Sequence, residues 1–110
     1  MEIKKNLDGT KLEMAVSGRL DTNTAPQFET ELKNSLNGVT DLTLDFSALD
    51  YISSAGLRVL LSAQKQMNAQ KGTMTVCGVN EIVKEIFEVT GFTDILTIRW
   101  AAVLLTDHIC

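Results

Sequence analysis

The stretch Asp50 to Leu61 reads DYISSAGLRVLL and places two hydroxyls, Ser53 and Ser54, where an apolar strand end hands over to a leucine-rich helix. Four backbone N–H groups without helical partners and the positive end of the helix dipole converge at such a point. Three chemistries suit a serine there. It can cap the helix, a role worth roughly 1 kcal/mol that needs no further function. It can accept a phosphoryl group, because the resulting charge of about -1.5 to -2 would meet both the free amides and the dipole. It can also serve as a nucleophile.

The third option finds little support. The elbow pattern Gly-x-Ser-x-Gly fails because Ile52 occupies the first glycine position, and the single histidine, His108, stands near the end of the chain. No glycine run followed by lysine offers a phosphate cradle, and no cysteine or histidine spacing suggests a metal. Neither a cofactor nor catalysis is implied. Between the other two options the local sequence favours the cap. Gly56 carries a cost that invites the sharper reading, since glycine weakens a helix by about 1 kcal/mol relative to alanine. It could relieve crowding against a neighbouring loop, or let another molecule approach the backbone and leave the Ser54 hydroxyl accessible.

The elements that must position this turn follow from hydrophobic periodicity. Ile3, Lys5 and Leu7 alternate up to the turn dipeptide Asp8-Gly9, and Leu12, Met14 and Val16 alternate after it, predicting an opening β-hairpin. After a loop GRLDTN, the run from Thr24 to Gln27 has capping-box spacing, with Pro26 in the first turn, so a helix begins there. Its apolar stripe is Ala25, Phe28, Leu32 and Leu36, and Gly38 marks its stop. Leu42, Leu44 and Phe46 predict a strand. A helix then runs from near Ser54 to about Gln70, with Gly72 closing it, and Met74 and Val76 predict another strand. Asn80 is an N-cap for a helix through Ile82, Ile86 and Val89 to Gly91, and ILTIRWAAVLL suggests a last strand and a short helix. Strands separated by helices imply mostly parallel pairing, with the hairpin as the antiparallel exception. The expected fold is therefore α/β: one domain over residues 1–110, with a mixed, mostly parallel sheet of four to five strands and helices mainly on one face.

The chain has 110 residues, 45% hydrophobic and 22% charged, with a formal net charge of -4. That balance argues against a nucleic-acid partner, because phosphate binding needs a basic face. A protein partner fits better. The first residues lack a signal peptide's apolar core, and the longest apolar run, WAAVLL, is far short of the roughly 20 residues needed to span a bilayer. A cytoplasmic protein without membrane insertion is expected.

The run DFSALDYISSAGLRVLL, with GRLD at Gly18 to Asp21 and the order of strands and helices, resembles the STAS domain of bacterial anti-sigma factor antagonists over nearly the whole chain. That family's turn has aspartate, a phosphorylatable serine, a second serine or threonine, then glycine and leucine. In this sequence Ser53 takes the aspartate position, Ser54 the phosphorylated serine and Ala55 the second hydroxyl position, while Gly56 and Leu57 agree. The loss of the carboxylate at Ser53 removes a group that could orient the hydroxyl. Ala55 leaves Ser54 as the remaining match.

The resemblance implies a regulatory binding protein. Its unmodified form would bind an anti-sigma factor, often a serine kinase of the histidine-kinase-like ATPase fold, and thereby free a sigma factor for transcription. Phosphorylation of Ser54 by that kinase would release it, and a serine phosphatase would reverse the step. The partner surface implied comprises Asp21, Thr22, Asn23, Ser53, Gly56, Leu57, Arg58 and Ser62. Asp21, Asp45 and Asp50 are expected near Ser54, where they would add to the repulsion of a phosphate. A STAS-like module without phosphorylation, serving a transport system or sensing a small ligand, is the alternative.

Overall fold

A computed structural model describes residues 1–99, and the expectations for Trp100, the AAVLL run and His108 lie outside them. β1 (Glu2–Asp8) and β2 (Lys11–Leu20) form the expected antiparallel hairpin, with Leu7 opposite Leu12 and Asp8 opposite Lys11. α1 (Ala25–Ser35), β3 (Asp41–Asp45), β4 (Leu49–Ile52), α2 (Ser54–Ala69), β5 (Thr73–Cys77) and α3 (Glu81–Thr90) follow. A short 3-10 turn, Phe92–Asp94, then leads to β6 (Thr97–Arg99).

The sheet runs β1-β2-β3-β5-β6, with β4 attached to β2, and every pairing except β1 with β2 is parallel. Its six strands exceed the expected count because β4 is a four-residue strand whose pattern is too short to separate from the turn that follows. β4 also explains why Gly18, Arg19 and Leu20 are strand rather than loop. β2 pairs with β3 over Lys11–Ala15, passes a register shift between Gly18 and Arg19, and then pairs with β4 through Arg19–Tyr51 and Leu20–Ile52. A bulge of this kind re-aims a strand, and this one delivers the chain to the serine turn.

One face of the sheet carries the helices. Leu12, Met14, Val16, Leu42, Leu44, Met74 and Val76 are buried there with Phe28, Leu32, Leu57, Leu60, Val83 and Phe87. Residues of opposite parity, such as Glu13, Thr43 and Thr75, stay partly exposed on the other face. The predicted stripe of α1 is buried throughout, and the edges of Phe28 and Phe46 meet at 6.5 Å between ring centroids.

Three local expectations are corrected. Thr24 stands at the start of α1 but makes no side-chain cap, because its hydroxyl turns back to donate to the Arg19 carbonyl. At the end of α2 the left-handed residue is Lys71, at φ 59°, while Gly72 is required for space: a Cβ on it would lie 2.7 Å from the Thr40 carbonyl oxygen. In α3, capped by Asn80 and closed by left-handed Gly91 as expected, the buried residues are Val83 and Phe87. Ile82 and Val89 face outward, at 57% and 79% exposure. Two apolar series at helical spacing compete in this sequence, and the one with the aromatic ring faces the core.

Candidate functional site

The turn between β4 and α2 is held from below. The Ser53 amide donates to the Leu20 carbonyl at 2.8 Å, tying the start of α2 to the end of β2. Ser53 has an extended backbone and its Oγ accepts the Gly56 amide at 3.4 Å, so this serine is the N-cap. Ser54 is the first residue of the helix proper and is exposed, and its hydroxyl bonds to no described residue. The two adjacent hydroxyls are thereby divided, one engaged with the backbone and the other presented to solvent. Around Ser54 the amides of Ser54 and Ala55 donate to no described residue, which leaves the positive tip of a 16-residue helix open.

Gly56 and Leu57 have a different role from the partner contact expected of them. Both are buried. A Cβ on Gly56 would lie 2.7 Å from Leu20 Cγ and 2.8 Å from Ile52 Cγ1, so the glycine permits the helix to rest on the two strand ends. Its small size serves close packing inside the fold, not approach by another molecule. Leu57, at 6% exposure, belongs to the core.

The loop after β2 is built around Asp21. Its Oδ1 accepts the amides of Asn23 at 3.0 Å and Thr24 at 3.1 Å, while its own amide donates to Thr24 Oγ1 at 2.9 Å. Partial desolvation pushes the Asp21 carboxyl up, but donation from the Thr24 and Asn23 amides and the Thr24 hydroxyl, with the Arg19 guanidinium at 3.9 Å, holds it below its ordinary value. Asp21 is thus a structural anion that shapes the loop, with Thr22 and Asn23 exposed at its tip. Arg19 also stacks on Tyr51, 4.7 Å from the ring centroid, across the β2–β4 pairing.

Loop and helix meet in a groove lined by Thr22, Ala25, Pro26, Glu29, Ala55, Arg58 and Val59. Thr22 and Arg58 of the expected surface therefore share one depression. Ser54, Arg58 and Ser62 follow at four-residue spacing along α2, all exposed. Asp50 is exposed on β4, whereas Asp45 lies on the other face of the sheet, where it lines a cleft with Glu2, Lys4 and Ser47. Sequence reasoning missed Glu29 and Pro26 in the groove and the Arg19–Tyr51 stack. Glu29, four residues after Ala25 and three before Leu32, borders the apolar stripe of α1, a weak signal by itself, and the stack depends on β4.

Among the described residues no group of three metal-ligating side chains assembles, and no helix is long and apolar enough to cross a membrane. The arrangement can present one free hydroxyl at a helix tip, beside a fixed loop and a groove carrying one cation and one anion.

The family model for the STAS domain matches residues 2–101. Among curated proteins, BtrV of Bordetella bronchiseptica, which its name places provisionally among anti-sigma factor antagonists, is 38% identical over 84 residues, 76% of this chain and 72% of its own. Among solved structures, an anti-sigma factor antagonist from Mycobacterium paratuberculosis superposes with a TM-score of 0.81 at 19% identity, covering 93% of this chain and 86% of that one. The Bacillus cell fate determinant SpoIIAA, solved in its phosphorylated form, superposes with a TM-score of 0.72 at 15% identity, covering 92% of each chain. At these identities the two structures speak for the fold alone.

Proposed function

The chain belongs to the STAS-domain family of anti-sigma factor antagonists, and from that premise we propose that it binds an anti-sigma factor in its unmodified form and is released by phosphorylation of Ser54. The anti-sigma factor is the serine kinase, of the histidine-kinase-like ATPase fold, and a serine phosphatase restores the binding form. The protein is the substrate of both and acts in the cytoplasm on transcription.

The observation that carries this reading is the division of labour between the two serines. Ser53 is half-buried and its Oγ accepts the Gly56 amide as the cap of α2, whereas Ser54 is exposed at the helix tip with an unengaged hydroxyl. A phosphate there meets free amides and the dipole without disturbing the core. For a partner seated on the loop tip and α2, the same phosphate is a charge to be desolvated. Shifting a complex from 99:1 to 1:99 takes about 5.5 kcal/mol, within the range such a stranded charge can supply without a large conformational change. SpoIIAA, of the same fold, has been solved in a phosphorylated form, so the fold can carry such a group.

Incubation with ATP and the cognate anti-sigma kinase, read by intact mass and fragment mapping, tests the reading. One phosphate on Ser54 is expected, and none on Ser54→Ala. A second reading rests on Ser53 and Ala55, which replace the family's aspartate and second hydroxyl: a STAS module that is never phosphorylated and serves a transport system or a small-ligand sensor. An unmodified mass after prolonged incubation with an active kinase would favour it.

A further inference from the structure

Arg58 stands four residues after Ser54 within α2, and both side chains are exposed. Residues at this spacing lie on one helix face with Cβ atoms about 5–6 Å apart, and an acid on the N-terminal side of a base is the favourable order. Arg58 forms no ion pair with any described residue. Glu29 lines the same groove, yet the two charges do not close to salt-bridge distance. The groove thus carries an uncommitted guanidinium, over a floor that includes the small side chains of Ala25 and Ala55.

We infer that Arg58 is the internal counter-ion of phosphorylated Ser54, and that phosphorylation withdraws this cation from the groove between α1 and α2. The inference rests on the reading of Ser54 as the modified residue. A phosphoserine carries about -1.5 to -2 charges and three acceptor oxygens, and a guanidinium presents a planar fork of donors that fits them. One turn away on the same helix, it outcompetes the single charge of Glu29 across the groove. In the unmodified chain Arg58 is available to a carboxylate of the anti-sigma factor. Phosphorylation therefore acts twice at one surface: it adds an anion at the helix tip and removes the cation next to it.

The test uses the full chain with phosphoserine placed at position 54 by genetic encoding, so that it depends on no kinase. The ³¹P resonance is titrated in this protein and in its Arg58→Gln and Arg58→Lys forms, and the Arg58 Nε–H resonance is followed with and without the phosphate. With Arg58 present, the second phosphate ionisation is expected below that of the Arg58→Gln protein, with the Lys form restoring part of the shift, and the Arg58 Nε–H signal moves on phosphorylation. Identical titrations for all three chains with an unmoved Arg58 signal would overturn the inference. So would a Lys form that titrates like the Gln form. Failure of the kinase to modify Ser54 is a separate result that bears on the proposed function and leaves this pairing measurable.

Discussion

Gly56 sits so close to Leu20 that a methyl group on its Cα would lie 2.7 Å from the leucine Cγ, and 2.8 Å from Ile52 Cγ1. Alanine would improve helix propensity by about 1 kcal/mol. Forcing a methyl into this packed junction costs on the order of 1–3 kcal/mol, because the nearest atoms it meets are inner carbons of buried side chains and not flexible ends. Gly56→Ala is therefore expected to be less stable than the parent in urea denaturation, with an unchanged m-value. A more stable variant would show that the helix can lift from the strands.

Ser53→Ala removes the cap of α2. Caps are worth about 0.5–2 kcal/mol, and the 3.4 Å bond to Gly56 places this one in the lower half of that range. Ser53→Asp restores the family's carboxylate, keeps an acceptor for the Gly56 amide and adds a charge favoured by the dipole. It is expected to equal or exceed the parent in thermal stability and to be phosphorylated faster at Ser54, both readable in one preparation.

The depressed Asp21 carboxyl sets a pH dependence. A carboxylate whose folded pKa lies below its unfolded value, 3.8 for an ordinary aspartate, contributes stability that is complete above that value and is lost as pH falls through the folded one. Asp21→Asn keeps an oxygen acceptor but not the charge. The parent is expected to be the more stable protein near neutrality, and its advantage to shrink as the pH falls below 3.8. A difference independent of pH would show that the charge contributes nothing.

The two apolar series of α3 separate cleanly by mutation. Phe87→Ala, at a fully buried ring, is expected to cost about 3–5 kcal/mol. Val89→Ala, at 79% exposure, is expected to fall within about 0.5 kcal/mol of the parent. Chemical denaturation of the two variants decides which face is inward.

Much of this architecture was legible because long periodic segments leave one solution. Phe28 and Leu32, or Leu42 and Leu44, have no other face on which to be buried. The short β4 escaped because four residues carry too little periodicity, and with it went the continuation of β2 through Gly18 to Leu20. Val83 and Phe87 escaped for the opposite reason, since α3 is apolar on two sides. At the site, Ser53, Ser54 and the Asp21 loop stood out through turn chemistry and a family resemblance. The role of Gly56 was invisible until Leu20 and Ile52 were in place, and Glu29 reached the groove only through the packing of α1 on α2.

Under the proposed function the hydroxyl of Ser54 gates docking of an anti-sigma factor. Calorimetric titration of that partner with the unmodified chain, Ser54→Ala, Ser54→Asp and the chain phosphorylated at Ser54 tests it most directly. The first two are expected to bind alike, the aspartate form more weakly, and the phosphorylated form weaker still by at least about 1.4 kcal/mol, a factor of ten. Equal affinities for all four would contradict the account.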